Sequence, residues 1–176
     1  MKTYIAAALT LVMSFPAIAQ QAAEPSETTE RFGAWTVRCV NQQGENEGKA
    51  CEVFLAVQGQ GGLIAQIALG QPQQAGTLMV ARTPLGVLVS EPVRLETAGT
   101  PPLTLPFVTC LANGCLAQSV VPGDFLGELT GHETASATFA ERSGRQIQIN
   151  LPLTGLNDAL ARIGVDCGSG SCVPAE

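Results

Sequence analysis

Six cysteines, arranged as three short-range pairs, constrain the fold of this chain more than any other feature. The pairs are Cys39/Cys51, Cys110/Cys115 and Cys167/Cys172. In an exported protein an even number of cysteines indicates disulfides, and six cysteines allow many connectivities among which sequence alone does not choose. Pairing within each neighbouring pair is the simplest connectivity, because each pair lies across an apparent turn.

The N-terminal segment has the three parts of a bacterial export signal. Lys2 supplies positive charge, the uncharged apolar stretch Tyr4 to Met13 follows, and Ala17-Ile18-Ala19 has the form of a cleavage site. The apolar stretch is shorter than the roughly 20 residues of a membrane span, and Pro16 interrupts it. We therefore predict a signal peptide over residues 1–19, cleavage near Ala19, and a periplasmic or secreted mature protein with no transmembrane segment.

Composition argues against a nucleic-acid partner. The chain has 9 basic and 15 acidic residues, for a net charge of −6. Removal of residues 1–19 takes away Lys2 and no acidic residue, so the mature chain becomes more negative by one charge. An acidic surface with so few lysines and arginines repels phosphate backbones.

Short runs of alternating apolar and polar residues predict strands, and turn signals separate them. In the first run Trp35, Val37 and Cys39 share one face, and Asn113-Gly114 predicts a tight hairpin turn between Cys110 and Cys115. Many such strands predict an all-β, antiparallel β-sandwich of immunoglobulin-like architecture, stapled by disulfides. We expect a flexible leader over residues 20–30, the sandwich domain over 31–164 and a Gly/Ser-rich tail over 165–176.

One or two short helices complete the predicted fold. The first follows Pro122-Gly123 and runs from Asp124 to Leu129. The second runs from Thr154 to Ile163; its apolar residues have helical spacing, Thr154 can cap its start and Gly164 can cap its end.

The enzymatic alternative depends on His132, the single histidine of the chain. A hydrolase would use it with Glu133 or Ser136, but adjacent strand residues point to opposite faces. A metal site would need Asp124 and Glu128 to align with it along one helix. Gly127 and Gly131 make a helix of that length doubtful. Thiol catalysis favours Cys-x-x-Cys, which is absent. We therefore assign no catalytic, cofactor-binding or metal-ligating residue.

Four blocks of sequence resemble the invasion associated locus B family. They are Phe32-Gly33-Ala34-Trp35-Thr36-Val37-Arg38-Cys39 with Cys51, Pro84-Leu85-Gly86-Val87, Leu105 to Cys110 with Gly114-Cys115, and Leu153 to Leu160. The resemblance covers about Arg31 to Gly164, occurs in the same order, and leaves Cys167 and Cys172 outside the pattern. It implies an exported bacterial protein with a β-sandwich-like fold.

Together the residues and the resemblance predict a non-enzymatic periplasmic protein. We expect it to act by protein binding or by supporting the envelope, with an unidentified envelope or host protein as partner. The family name implies a role in host-cell invasion for pathogenic relatives. A small periplasmic hydrolase or metal-dependent enzyme using His132 is the alternative.

Overall fold

The computed structural model describes residues 26–42, 48–72 and 76–174, so the predicted signal peptide and the first part of the leader lie outside it. Within these residues the chain forms thirteen strands, two α-helices and one short 3₁₀ turn at Gly168–Gly170. The strands are β1 (Glu27–Phe32), β2 (Trp35–Gln42), β3 (Gly48–Gly59), β4 (Gly62–Gly70), β5 (Leu78–Thr83), β6 (Val93–Glu96), β7 (Leu103–Leu105), β8 (Phe107–Leu111), β9 (Gly114–Val120), β10 (Thr134–Ala140), β11 (Gln146–Pro152), β12 (Val165–Asp166) and β13 (Val173–Pro174).

Two antiparallel sheets form the sandwich. The large sheet has the order β1-β2-β3-β4-β5-β9-β8, and the small sheet has the order β11-β10-β6-β7. The helices are α1 (Gly123–Gly131) and α2 (Leu156–Arg162), and α2 contacts β1, β2 and β3. The predicted all-β sandwich with two short helices is therefore confirmed. No helix within the described ranges is long and apolar enough to cross a membrane.

The core takes its residues from the inner faces of the strands. Trp35, Val37 and Cys39 of β2 are buried as the alternation predicts, while Arg38 between them is exposed. The β10–β11 hairpin shows the same pattern, since Ile149 and Leu151 are buried. This alternation places the apolar residues of both sheets against one another and leaves the outer faces to solvent.

The predicted leader is wrong at its C-terminal end. Glu27–Phe32 forms β1, which pairs with β2 over its whole length at the edge of the large sheet. Arg162 of α2 donates hydrogen bonds to both carboxylate oxygens of Glu30. The sequence of β1 is too polar to predict a strand, because an edge strand buries little apolar surface and depends on backbone pairing and on this ion pair.

In the predicted Gly/Ser-rich tail, the described residues 165–174 pack against the sandwich domain. β12 pairs with β13, Val165 and Cys172 are buried, and the backbone N–H of Cys172 donates to the carbonyl of Gly123 at 2.8 Å. The tail therefore completes the packing of α1. Its sequence does not predict this, since its glycines and serines are typical of a loop and its apolar residues show no helix or strand periodicity.

Two helical details differ from the sequence-based expectation. The helix α1 spans Gly123–Gly131, two residues beyond the predicted end at Leu129, although Gly127 and Gly131 made a helix that reaches toward His132 doubtful. A Cβ on Gly127 would lie 2.3 Å from the carbonyl oxygen of Gly170, so glycine permits close approach of the tail. At α2 the capping residue is Gly155, with a φ of 87°, and Thr154 makes no side-chain cap.

Candidate functional site

All six cysteines form disulfides, and each joins the neighbouring pair. Cys39 and Cys51 are directly opposite one another on β2 and β3, and Cys110 and Cys115 are opposite one another on β8 and β9. The third disulfide, Cys167–Cys172, closes the 3₁₀ turn of the tail. With no cysteine free, this arrangement offers no thiol nucleophile and serves to staple local turns.

His132 lies at the C-terminal end of α1, where its side chain is about one-third exposed. Its Nε2 atom is 3.7 Å from a carboxylate oxygen of Glu128, which is the i, i+4 neighbour expected from the sequence. Asp124 instead accepts a hydrogen bond from the backbone N–H of Phe125 at the start of the helix. The described residues contain no cluster of three or more His, Cys, Asp or Glu side chains suited to a metal ion.

A cleft of about 680 Å³ opens at one end of the sandwich, between the two sheets. Three segments surround it: the β3–β4 turn at Gly59–Gly62, the loop at Pro84–Val87, and the β10–β11 turn at Glu141–Ser143. Its side chains are mostly apolar, and Phe139 and Ile147 contribute from the hairpin. His132 is not among the residues that line this cleft.

A second groove, of about 560 Å³, lies at the end of the large sheet between the outer parts of β2, β3, β4 and β5. Arg38 forms an ion pair with Glu52 here, and its guanidinium lies 5.7 Å from the centre of the Phe54 ring. Lys49 and Gln71 also line the groove. The side chains of Arg38 and Glu52 pair with one another in this groove. Because charged and amide side chains make up more of its lining, the groove is more polar than the cleft between the sheets.

Comparison with known proteins identifies the family. The model of the invasion associated locus B (IalB) protein family matches residues 35–164. The chain belongs to the invasion associated locus B family. A curated relative, invasion protein B of Bartonella bacilliformis, is 28% identical over 156 residues, covering 84% of this chain and 81% of the relative. The crystal structure of invasion associated protein b from Bartonella henselae matches with a TM-score of 0.67 and 20% identity, covering 77% of this chain and 94% of that chain. The structural likeness supports the sandwich fold.

Two of the blocks that resemble the invasion associated locus B family meet in space. The indole N–H of Trp35 donates to the carbonyl of Pro152 at 3.0 Å, and the backbone N–H of Ala34 donates to the carbonyl of Thr154. A Cβ on Gly155 would lie 2.2 Å from the carbonyl oxygen of Phe32. The backbone at Gly155 therefore packs directly against the backbone at Phe32, and only glycine fits there. These residues join the β1–β2 turn to the start of α2, which is a structural role.

The Pro84–Val87 block lies away from the contact between the β1–β2 turn and α2, and it lines the cleft between the sheets. Sequence reasoning identified this segment only through the resemblance and did not assign it a site. Leu85 is 59% exposed and presents a large apolar side chain at the mouth of the cleft. An exposed apolar residue between Pro84 and Gly86 was the available signal, but its partners come from strands distant in sequence.

Proposed function

We propose that this protein is an exported, non-enzymatic binding protein of the bacterial periplasm. In this proposal the N-terminal segment directs export and is removed near Ala19, and the folded domain acts by contact with another component of the envelope or with a host protein. The names of the Bartonella relatives associate the family with invasion. A more specific proposal for this chain is that its binding partner is a host protein and that the contact contributes to host-cell invasion.

The position of the recesses supports binding over catalysis. The cleft and the groove are both separate from His132, and the cleft is lined mainly by apolar side chains and glycine backbone. A catalytic site normally gathers several polar groups with a base and its orienting partner in one pocket. Among the described residues His132 has Glu128 as its ion-pair partner, and Glu128 lies on the solvent side of α1.

The disulfides support the proposed location in the periplasm. Three disulfides in a domain of this size are typical of proteins that fold in an oxidising environment such as the periplasm. N-terminal sequencing of protein from a periplasmic extract tests this part of the proposal directly. We expect the mature chain to begin at Gln20, and an intact Met1 on cytoplasmic protein would contradict export.

Site-specific photo-crosslinking in intact cells tests the binding function. A photoreactive amino acid at Leu85 or at Val108, which is 53% exposed on the edge strand β8, should give a discrete adduct with a cellular component. The matched control is position Gln148, an exposed polar residue on the outer side of β11. Equal labelling at all three positions, or none at either apolar position, would contradict the proposal.

A further inference from the structure

The cleft between the sheets is built from residues of the core. Val87 and Phe139 are 9% and 4% exposed and belong to the main hydrophobic cluster. Ile64 and Ile147, both half-buried, form parts of its walls, and Leu85 stands at its mouth. The cleft therefore gives access from solvent to the apolar space between the two sheets, where most of its lining cannot form hydrogen bonds.

Backbone hydrogen bonds hold the cleft in shape. Leu88 donates its backbone N–H to the carbonyl of Ala140, and Arg142 donates its backbone N–H to the carbonyl of Gly86, both at 2.8 Å. Val87 and Glu141 also form an isolated antiparallel bridge. These bonds tie the 84–88 loop to the β10–β11 hairpin, so the wall is preformed and a ligand need not order it.

The rim of the cleft carries one excess positive charge. Arg145 donates to both carboxylate oxygens of Glu141, at 3.0 and 2.6 Å. Those hydrogen bonds hold the pKa of Glu141 below its usual value, so this carboxylate is ionised and paired. Arg142, also on the rim, takes part in none of the four ion pairs between described residues. The turn thus presents a cation on a chain that is acidic overall.

From this combination we propose that the cleft binds a small anionic amphiphile, such as a single acyl chain that ends in a carboxylate. The acyl chain lies between the sheets against Phe139 and Ile147, and the carboxylate accepts hydrogen bonds from the guanidinium of Arg142. A guanidinium suits this role because its planar donors match the two oxygens of a carboxylate. The ligand class goes beyond the proposed contact with an envelope or host protein and does not depend on it.

Size and shape favour an amphiphile over a protein partner at this site. A volume of about 680 Å³ lies within the roughly 300–1,000 Å³ of pockets that hold small ligands, which are mostly apolar with a few placed polar groups. A stable protein interface needs roughly 800 Å² from each partner and a rim with many hydrogen bonds. The cleft is instead concave, and among the described residues that line it Arg142 is the one cation without an ion-pair partner.

Calorimetry with three ten-carbon probes tests the proposal on the mature, disulfide-bonded protein. The probes are decanoate, decanol and decyltrimethylammonium, each used below its micelle concentration. We expect saturable 1:1 binding in which decanoate binds about tenfold more tightly than decanol, as one charged hydrogen bond allows. The cationic probe should bind more weakly than decanol.

Variants assign the binding to this cleft. Arg142→Gln should remove the preference for decanoate over decanol, and Arg142→Glu should transfer the preference to decyltrimethylammonium. Leu85→Gln should weaken all three probes. Arg94→Gln is the matched control, because Arg94 is exposed on β6 and does not line the cleft. It should bind all three probes as the unmodified protein does.

Three outcomes of the binding measurements would overturn the proposal. They are no saturable binding, equal affinity of the unmodified protein for decanoate and decanol, and binding that the Leu85 and Arg142 variants leave unchanged. A protein adduct at Leu85 in intact cells without amphiphile binding would assign the cleft to a protein partner and also overturn it. Binding of decanoate without any adduct in cells would support this inference and leave the proposed envelope contact as the part that fails.

Discussion

Replacing Gly127 with alanine should destabilise the protein, although alanine is the better helix former. In the interior of a helix this change alone contributes about 1 kcal/mol of stability. Here the added Cβ would lie 2.3 Å from the carbonyl oxygen of Gly170 and 2.6 Å from its carbon. Both are backbone atoms, so relief requires the tail to move. Such overpacking costs about 1–3 kcal/mol, and this contact belongs near the upper limit.

The net expectation is a loss of about 2 kcal/mol, which for a chain of this size lowers the melting temperature by about 4–8 °C. Gly131→Ala is the matched control in the same helix. A Cβ at Gly131 meets no atom within 4 Å, so this variant should gain up to about 1 kcal/mol from propensity alone. Thermal melts followed by circular dichroism under oxidising conditions measure both changes.

The disulfide of the tail provides a second check on the same reasoning. When Cys167 and Cys172 are both replaced by serine, the 3₁₀ turn loses its covalent closure and can move away from α1. The penalty of Gly127→Ala should then shrink, giving a coupling energy of about 1 kcal/mol or more in a double-mutant cycle. If Gly127→Ala raises the melting temperature as much as Gly131→Ala does, the tail does not pack against α1 and the reasoning is refuted.

Three further changes have expected outcomes. Replacing Cys110 and Cys115 together with serine should cost about 2 kcal/mol, because the disulfide closes a short loop; chemical unfolding measures the loss, and peptide mapping without reduction should find the pair linked. His132→Ala should leave both the melting temperature and the cellular phenotype unchanged, and a folded variant that lost all activity would favour the hydrolase or metal alternative. Hydrogen bonds from Arg162 lower the pKa of Glu30, so their stabilisation is present above the unfolded-state pKa of Glu30 and lost as the pH falls through its folded-state pKa. Arg162→Gln should therefore be less stable than the unmodified protein at neutral pH, with the difference disappearing in acid; a difference that persisted there would contradict this role of the pair.

The candidate site could be predicted only in part from the sequence. The Pro84–Val87 block was recognised through its resemblance to a family, and Leu85 is visible as an apolar residue in a turn. The cleft itself is formed by three segments that are separated by many residues along the chain. Alternation predicts a strand, and residue types predict a turn. Neither predicts which turns lie next to one another in the fold, because that depends on the order of the strands in the sheets.

The sequence by itself determined the elements whose signals are local. Alternation marked β2 and the β10–β11 hairpin, Asn113-Gly114 marked the turn between β8 and β9, and the spacing of apolar residues marked α2. These features depend on neighbours within a few residues, so the chemistry that specifies them is written side by side in the chain.

Only the tertiary structure decided the elements that depend on distant partners. The polar segment Glu27–Phe32 is a strand because β2 and Arg162 pair with it, and the described part of the tail packs closely on α1 where that helix has glycine. Gly127, a poor helix former, lies within α1 because the close approach of Gly170 leaves no room for a Cβ there. In each case contacts across the fold outweigh the local preference of the segment, because burial and backbone pairing act over several residues at once.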